Sequence, residues 1–172
     1  MDFGKLSKFD VGRVDFTLLQ DNTFNLEVLD GTQKTKPKVW IGCPIWANKE
    51  WNGKIYPFTA KNQDYLSLYA KQFNTIELNV THYQIPNEET IQRWVAETGN
   101  DFLFCPKFPQ VISHDKQLQN AQEISQLFCD SILSLGARLG SSFLQLAPQF
   151  GPRQLPILEK YIQTIPQQLK FS

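Results

Sequence analysis

A chain of 172 residues with 41% apolar side chains can bury about two-thirds of its unfolded surface as one domain, which excludes a disordered polypeptide. Its 17 lysines and arginines equal its 17 aspartates and glutamates, so no net field recruits a nucleic-acid backbone or an anionic membrane. No apolar run approaches the roughly 20 residues of a membrane helix, and Cys43, Cys105 and Cys129 suit neither a disulfide framework nor a paired-cysteine zinc site.

Residues 1–36 read as an N-terminal extension that packs against the main body. Residues 16–19 and 24–29 are short apolar-polar runs, Asp30-Gly31 is a favoured turn pair, and the polar stretch 32–37 with Lys34 and Lys36 is a solvated linker. From residue 37 the pattern becomes regular. Val39-Trp40-Ile41-Gly42 is strand-like and leads into an aromatic loop from Trp46 to Pro57. Tyr65, Leu66, Tyr69, Ala70 and Phe73 form one apolar stripe, which predicts a helix over 63–73. A second strand is expected over 75–79. Asn87, Glu88 and Glu89 then cap a helix reaching residue 97, with Ile91, Trp94 and Val95 inward. A third strand over 102–105 is followed by a long helix over 118–135 that Gly136 stops, and a fourth strand over 142–146 by a helix over 155–165.

Strands separated by helices call for right-handed crossovers and a parallel sheet, because a tight turn cannot join parallel neighbours. Gly42-Cys43-Pro44 lacks the glycines of a dinucleotide-binding loop. The expected fold is therefore α/β, a partial TIM-like (β/α) barrel of about four strand–helix units, with Lys170-Phe171-Ser172 opening a fifth strand.

The two-residue period of the second strand puts Glu77 and Asn79 on one face and Ile76 and Leu78 on the other. Lys107 continues the face of Leu103 and Cys105, and Gln145 shares a face with Phe143. Parallel strands end on one rim, so Glu77, Asn79, Lys107 and Gln145 are expected to converge where barrel enzymes place their active sites. Glu77 and Lys107 are expected to pair, either as a structural brace or as a general acid or base with its electrostatic partner. His114 is either a proton carrier or a surface hydrogen-bonding residue. Trp46, Trp51 and Tyr56, with His82 and Tyr83 after the second strand, either stack on a ligand or cap the core. Cys43 has no evident activating base in the sequence.

The stretches Ile41-Gly42-Cys43-Pro44-Ile45-Trp46 with Trp51-Asn52-Gly53-Lys54-Ile55-Tyr56-Pro57, Glu77-Leu78-Asn79-Val80-Thr81-His82-Tyr83, Phe102-Leu103-Phe104-Cys105-Pro106-Lys107 with Ser113-His114, and Leu139-Gly140 with Leu144-Gln145-Leu146-Ala147-Pro148-Gln149-Phe150 resemble, in this order and spacing, the YecE-like family of unknown function. The resemblance implies a TIM-like barrel with Trp46, Glu77, Asn79, Tyr83, Lys107, His114 and Gln145 at motif positions on its rim, and it implies no reaction. Cys43-Pro44-Ile45 replaces small polar residues of the family pattern, His82 stands where Phe is usual, and Ala147 replaces a proline. Family members continue through further strands.

The expectation for function is a barrel enzyme half using acid–base chemistry, with Glu77, Lys107 and His114 catalytic, on a small sugar-like or phosphorylated substrate held by Trp46, Trp51, Tyr56, Asn79, Tyr83 and Gln145. The alternatives are a non-enzymatic ligand-binding or interaction module and an inactive truncated barrel. No cofactor or metal is required by any motif. A cytoplasmic protein is expected, with a small-molecule ligand, no nucleic-acid or membrane partner, and self-association or a complementary half-barrel.

Overall fold

The computed structural model describes Arg13, Asp15, Thr17, Gln20, Asn22, Thr23, Leu26, Glu27 and residues 37–172. The chain divides into two compact units, Met1–Lys38 and Val39–Ser172. In the first, Asp15 Oδ1 accepts the Thr17 amide at 2.9 Å, and the Thr17 hydroxyl, with that amide, holds the carboxyl below its usual range. The runs, turn and linker expected over 16–37 lie largely outside the described residues.

The second unit is a mixed α/β structure around a small parallel sheet. Strand β1 (Thr75–Leu78) pairs with strand β2 (Leu103–Pro106) in parallel, with Glu77 opposite Cys105 and Leu78 opposite Pro106. Helix α1 (Tyr65–Tyr69) precedes β1; α2 (Val80–Tyr83) and α3 (Glu88–Glu97) lie between the strands; a π-turn (Val111–Asp115), α4 (Gln122–Leu133) and α5 (Leu155–Ile162) follow β2.

Three further segments join this sheet by isolated contacts. Ile41 and Cys43 carbonyls accept from the Asn74 and Glu77 amides at 3.3 and 3.4 Å. Parallel bridges link Phe104 with Leu139, Lys107 with Phe143, and Ser142 with Phe171. The first expected strand is therefore not a regular one. Side chains take over its ladder: the Ile41 amide donates to Asn74 Oδ1 at 2.7 Å, and the Cys43 amide to the Tyr69 hydroxyl. The fourth is reduced to bridging residues Ser142 and Phe143.

The core lies between the sheet and the helices. Ile76, Leu78 and Phe104 are essentially buried, and Trp94 of α3 stacks on Phe104 at 5.9 Å while Phe102 meets Phe104 edge-on at 4.9 Å. Helix α3 begins as its sequence prescribes: Asn87 Oδ1 accepts the Thr90 amide at 2.9 Å, and Glu88 and Glu89 face the positive end of the helix dipole. It ends where Thr98 Oγ1 donates back to the Trp94 carbonyl at 3.0 Å. Helix α4 starts four residues later than its apolar pattern suggests. Gln117, Leu118 and Asn120 have φ of 45°, 67° and 50°, a left-handed turn that no helix continues, although Leu118 still reaches the core. Beyond its other end Gly136 takes φ 56°, the conformation a helix stop requires. Among the described residues no helix is long and apolar enough to cross a membrane.

Asn74 straps the first segment down with both ends of its amide, accepting from Ile41 N and donating to Val39 O at 2.9 Å. Asn74→Ala is expected to cost about 1–2 kcal/mol in urea unfolding, with faster amide exchange at Ile41. Unchanged exchange there would show that the strap is dispensable.

Candidate functional site

The alternation in β1 is visible in its burial: Ile76 and Leu78 are covered by helices while Glu77 is exposed on the opposite face. Asn79 follows at the end of the strand, and its amide nitrogen donates to Glu77 Oε1 at 3.0 Å. Thr81 anchors α2 to both strand ends, its hydroxyl lying 2.7 Å from the carbonyls of Leu78 and Lys107. The turn into α2 swings Tyr83 outward, where it is 78% exposed. A cavity of about 310 Å³ has Glu77, Asn79, Trp46 and Tyr83 in its wall. Four of the residues read from the sequence thus meet in one place.

Lys107 and Gln145 form a second pair. The ammonium donates to Gln145 Oε1 at 2.6 Å and stands 5.4 Å from the centre of the Phe143 ring. The ion pair expected between Glu77 and Lys107 is replaced by these two amide contacts. Register explains why: Glu77 is opposite Cys105, so Lys107 is level with Asn79, about 6–7 Å further along the strand. Both heads reach solvent, and an exposed ion pair is worth at most about 1 kcal/mol, no more than a charged group gains from an amide.

Trp51 and Tyr56 do not reach the cavity. Tyr56 is 3% exposed, stacks on Tyr65 at 5.2 Å and donates its hydroxyl to the Trp46 carbonyl at 2.8 Å. Burial raises the pKa of that phenol. Trp51 lies parallel to Tyr69 at 6.4 Å and edge-on to Tyr56 at 5.6 Å. These two rings pack with Tyr65 and Tyr69 in the core. Trp46 does both: its ring meets Trp94 edge-on at 5.9 Å while it lines the cavity.

His114 sits in the π-turn with Nδ1 2.8 Å from Ser113 Oγ, and its ring meets that of His82 edge-on at 5.3 Å. His82, which the sequence offers with Tyr83 as either a ligand-stacking or a core-capping ring, is not among the residues given a catalytic or binding role there. Its Nδ1 lies 2.7 Å from the Phe108 carbonyl, and burial holds its pKa below the ordinary 6.5 despite that contact. Cys43, Cys105 and Cys129 are free thiols, and burial pushes Cys129 up to about 11. Among the described residues no group of three or more His, Cys, Asp or Glu could hold a metal ion.

A buried histidine with a depressed pKa makes stability pH-dependent. The unfolded chain takes up the proton first, so this contribution is complete above pH 6.5 and is lost as the pH falls below it. The thermal midpoint is expected to fall between pH 7.5 and 5.5, and His82→Phe to remove most of that fall. An identical pH profile in the variant would overturn the assignment.

Comparison with known proteins follows this geometry. The family model described as "Protein of unknown function DUF72" matches residues 40–172. The UPF0759 protein YecE of Escherichia coli K12 is 34% identical over 134 residues, covering 78% of this chain and 47% of that protein. The UPF0759 protein YunF of Bacillus subtilis is 30% identical over 69 residues, 40% of this chain and 23% of that protein. A crystal structure of a DUF72 family protein from Thermotoga maritima superposes with a TM-score of 0.65 at 26% identity, covering 77% of this chain and 54% of that one. The chain therefore spans about half the length of the Escherichia coli relative, with its polar rim inside the matched region. By the extent of these matches, the chain belongs to the DUF72 family of proteins of unknown function.

Proposed function

We propose that the chain forms the first half of a TIM-like barrel and that its rim binds a small polar, sugar-like or phosphorylated ligand for acid–base chemistry at Glu77. The observation that carries this reading is the Glu77–Asn79 pair opening onto a cavity flanked by Trp46 and Tyr83. One carboxylate oxygen is occupied by the Asn79 amide, which orients the group; the other is left to take or return a ligand proton. Lys107, steadied by Gln145, supplies positive charge on the same rim for an anion that develops as the proton leaves. His114 carries protons at the edge of this site. A concavity of about 410 Å³ whose wall includes Gly42, Glu77, Cys105, Phe143 and Ser172 supports the barrel reading, since those residues come from five successive segments.

A second reading has an observation of its own. Glu77 and Lys107 are each held by an amide and not by each other, as suits a ligand-binding module whose polar groups recognise and do not react. Screening of sugars and sugar phosphates separates the two, with the chain and its Escherichia coli relative tested side by side. Glu77→Gln, made here and at the aligned position of the relative, keeps the side-chain shape and the oxygen that meets Asn79. Turnover is expected to fall about 10²–10⁴-fold with ligand affinity retained. Full turnover in Glu77→Gln, with binding abolished by Trp46→Ala, would establish the binding module instead.

Both readings place the protein in the cytoplasm, in keeping with three free thiols. They also leave Val39 and Ile41, 63% and 64% exposed, on the outer segment of the sheet. Self-association or pairing with a complementary half-barrel is the expected consequence. Light scattering at micromolar concentration should return more than the 19.9 kDa of one chain, and a stable monomer would contradict it.

A further inference from the structure

The cavity of about 310 Å³ at Glu77 is more apolar than its polar pair suggests. Besides Glu77, Asn79, Trp46 and Tyr83, its wall includes Pro44, Ile45 and Ala47 from the loop after the first segment and Val80 from α2. Ile45, Val80 and Tyr83 are 46%, 45% and 78% exposed, so three large, mainly apolar side chains stand in water around one carboxylate. Exposed apolar surface gathered at a concavity gains free energy from a ligand that covers it with apolar surface of its own.

Charge and hydrogen-bonding capacity decide what the rest of that ligand is. Among the described residues of the wall, Glu77 is the one acidic or basic side chain apart from the Tyr83 phenol. The Lys107 ammonium stands outside the wall, held by Gln145 at 2.6 Å. A phosphate or carboxylate in the cavity would therefore face the Glu77 carboxylate with no cation in the wall to offset the repulsion. Asn79 Nδ2 gives one of its two hydrogens to Glu77 Oε1, so the pair presents one N–H donor beside carboxylate and amide oxygens that accept. Hydroxyl groups both donate and accept, which matches this mixture; an ammonium only donates. The Trp46 and Tyr83 rings add flat apolar surface next to it.

We propose that the cavity takes an uncharged glycoside with an aromatic aglycone, the sugar hydroxyls meeting Glu77 and Asn79 and the aglycone covering Ile45, Val80 and Tyr83. This inference rests on the sugar-binding reading of the same site and narrows it to ligands without a phosphate.

The test is an NMR titration of the ¹⁵N-labelled chain at pH 7.5. The probes are matched phenyl and methyl glycosides of D-glucose, D-galactose and D-mannose, the 6-phosphate of the phenyl glycoside that binds best, and benzylamine. At least one phenyl glycoside should bind about tenfold or more tightly than its methyl partner, and its 6-phosphate should bind more weakly than it does. Ile45→Ser and Val80→Ser, both at exposed positions that tolerate a polar side chain, should each lower the phenyl-to-methyl ratio about threefold or more. Equal affinity of phenyl and methyl partners, tighter binding of the 6-phosphate, or a ratio untouched by both substitutions overturns the inference while the sugar-binding reading stands. Benzylamine binding as tightly as the best phenyl glycoside overturns it as well, since the sugar then contributes nothing. If neither the glycosides nor the 6-phosphate bind, the inference and the reading beneath it fall together.

Discussion

The buried hydroxyl of Tyr69 is the contact on which the site depends. It accepts the amide of Cys43, and its single proton lies between the carbonyls of Thr75, at 3.0 Å, and Cys43, at 3.2 Å. The side chain is fully buried and its ionisation is pushed up to about 12, so it serves as a fixed neutral donor and acceptor. That one oxygen holds the first segment against β1 where backbone pairing alone is sparse. Trp46 follows three residues after Cys43, and docking the segment brings the indole over the end of β1, beside Glu77. Gly42 is part of the same constraint: a Cβ there would stand 2.0 Å from the Thr75 carbonyl oxygen, so the close approach admits no side chain.

The polar rim that results is arranged by competition among weak partners. A carboxylate and an ammonium that both reach solvent gain little from each other, and each finds an amide one step away. Glu77 and Lys107 are thereby separated and oriented, each with donor or acceptor capacity left for a ligand. The histidines follow another logic. His82 is held inside by the Phe108 carbonyl and an edge-on contact with the His114 ring, and desolvation lowers its pKa.

Aromatic density in the loop after the first segment divides along the same line. Trp51 and Tyr56 close the core over α1 with Tyr65, Tyr69 and Phe73, a cluster of ring contacts 4.7–6.4 Å apart. Trp46 and Tyr83 are the rings left at the rim. Burial of the first set supports the second, since the loop that carries Trp46 is pinned through the Tyr56 hydroxyl.

Elements governed by local rules were legible in the residues. The apolar stripe of α3 with its Asn87 cap, the Gly136 stop, and the alternation of Ile76, Glu77 and Leu78 depend on neighbours a few positions away, and the fold keeps all of them. The meeting of Glu77 with Asn79 could also be read, because a two-residue period puts both on one face of the strand. Contacts between remote residues were decided only in three dimensions. Whether Lys107 meets Glu77 or Gln145, whether Tyr56 faces a ligand or Tyr65, and whether His82 is buried all turn on register and packing, across 9 positions for Tyr56 and Tyr65 and 26 and 38 for the Phe108 and Gln145 contacts. Periodicity specifies the face on which a side chain emerges; the partner it finds there is selected by the free energies of groups that the chain brings together only on folding.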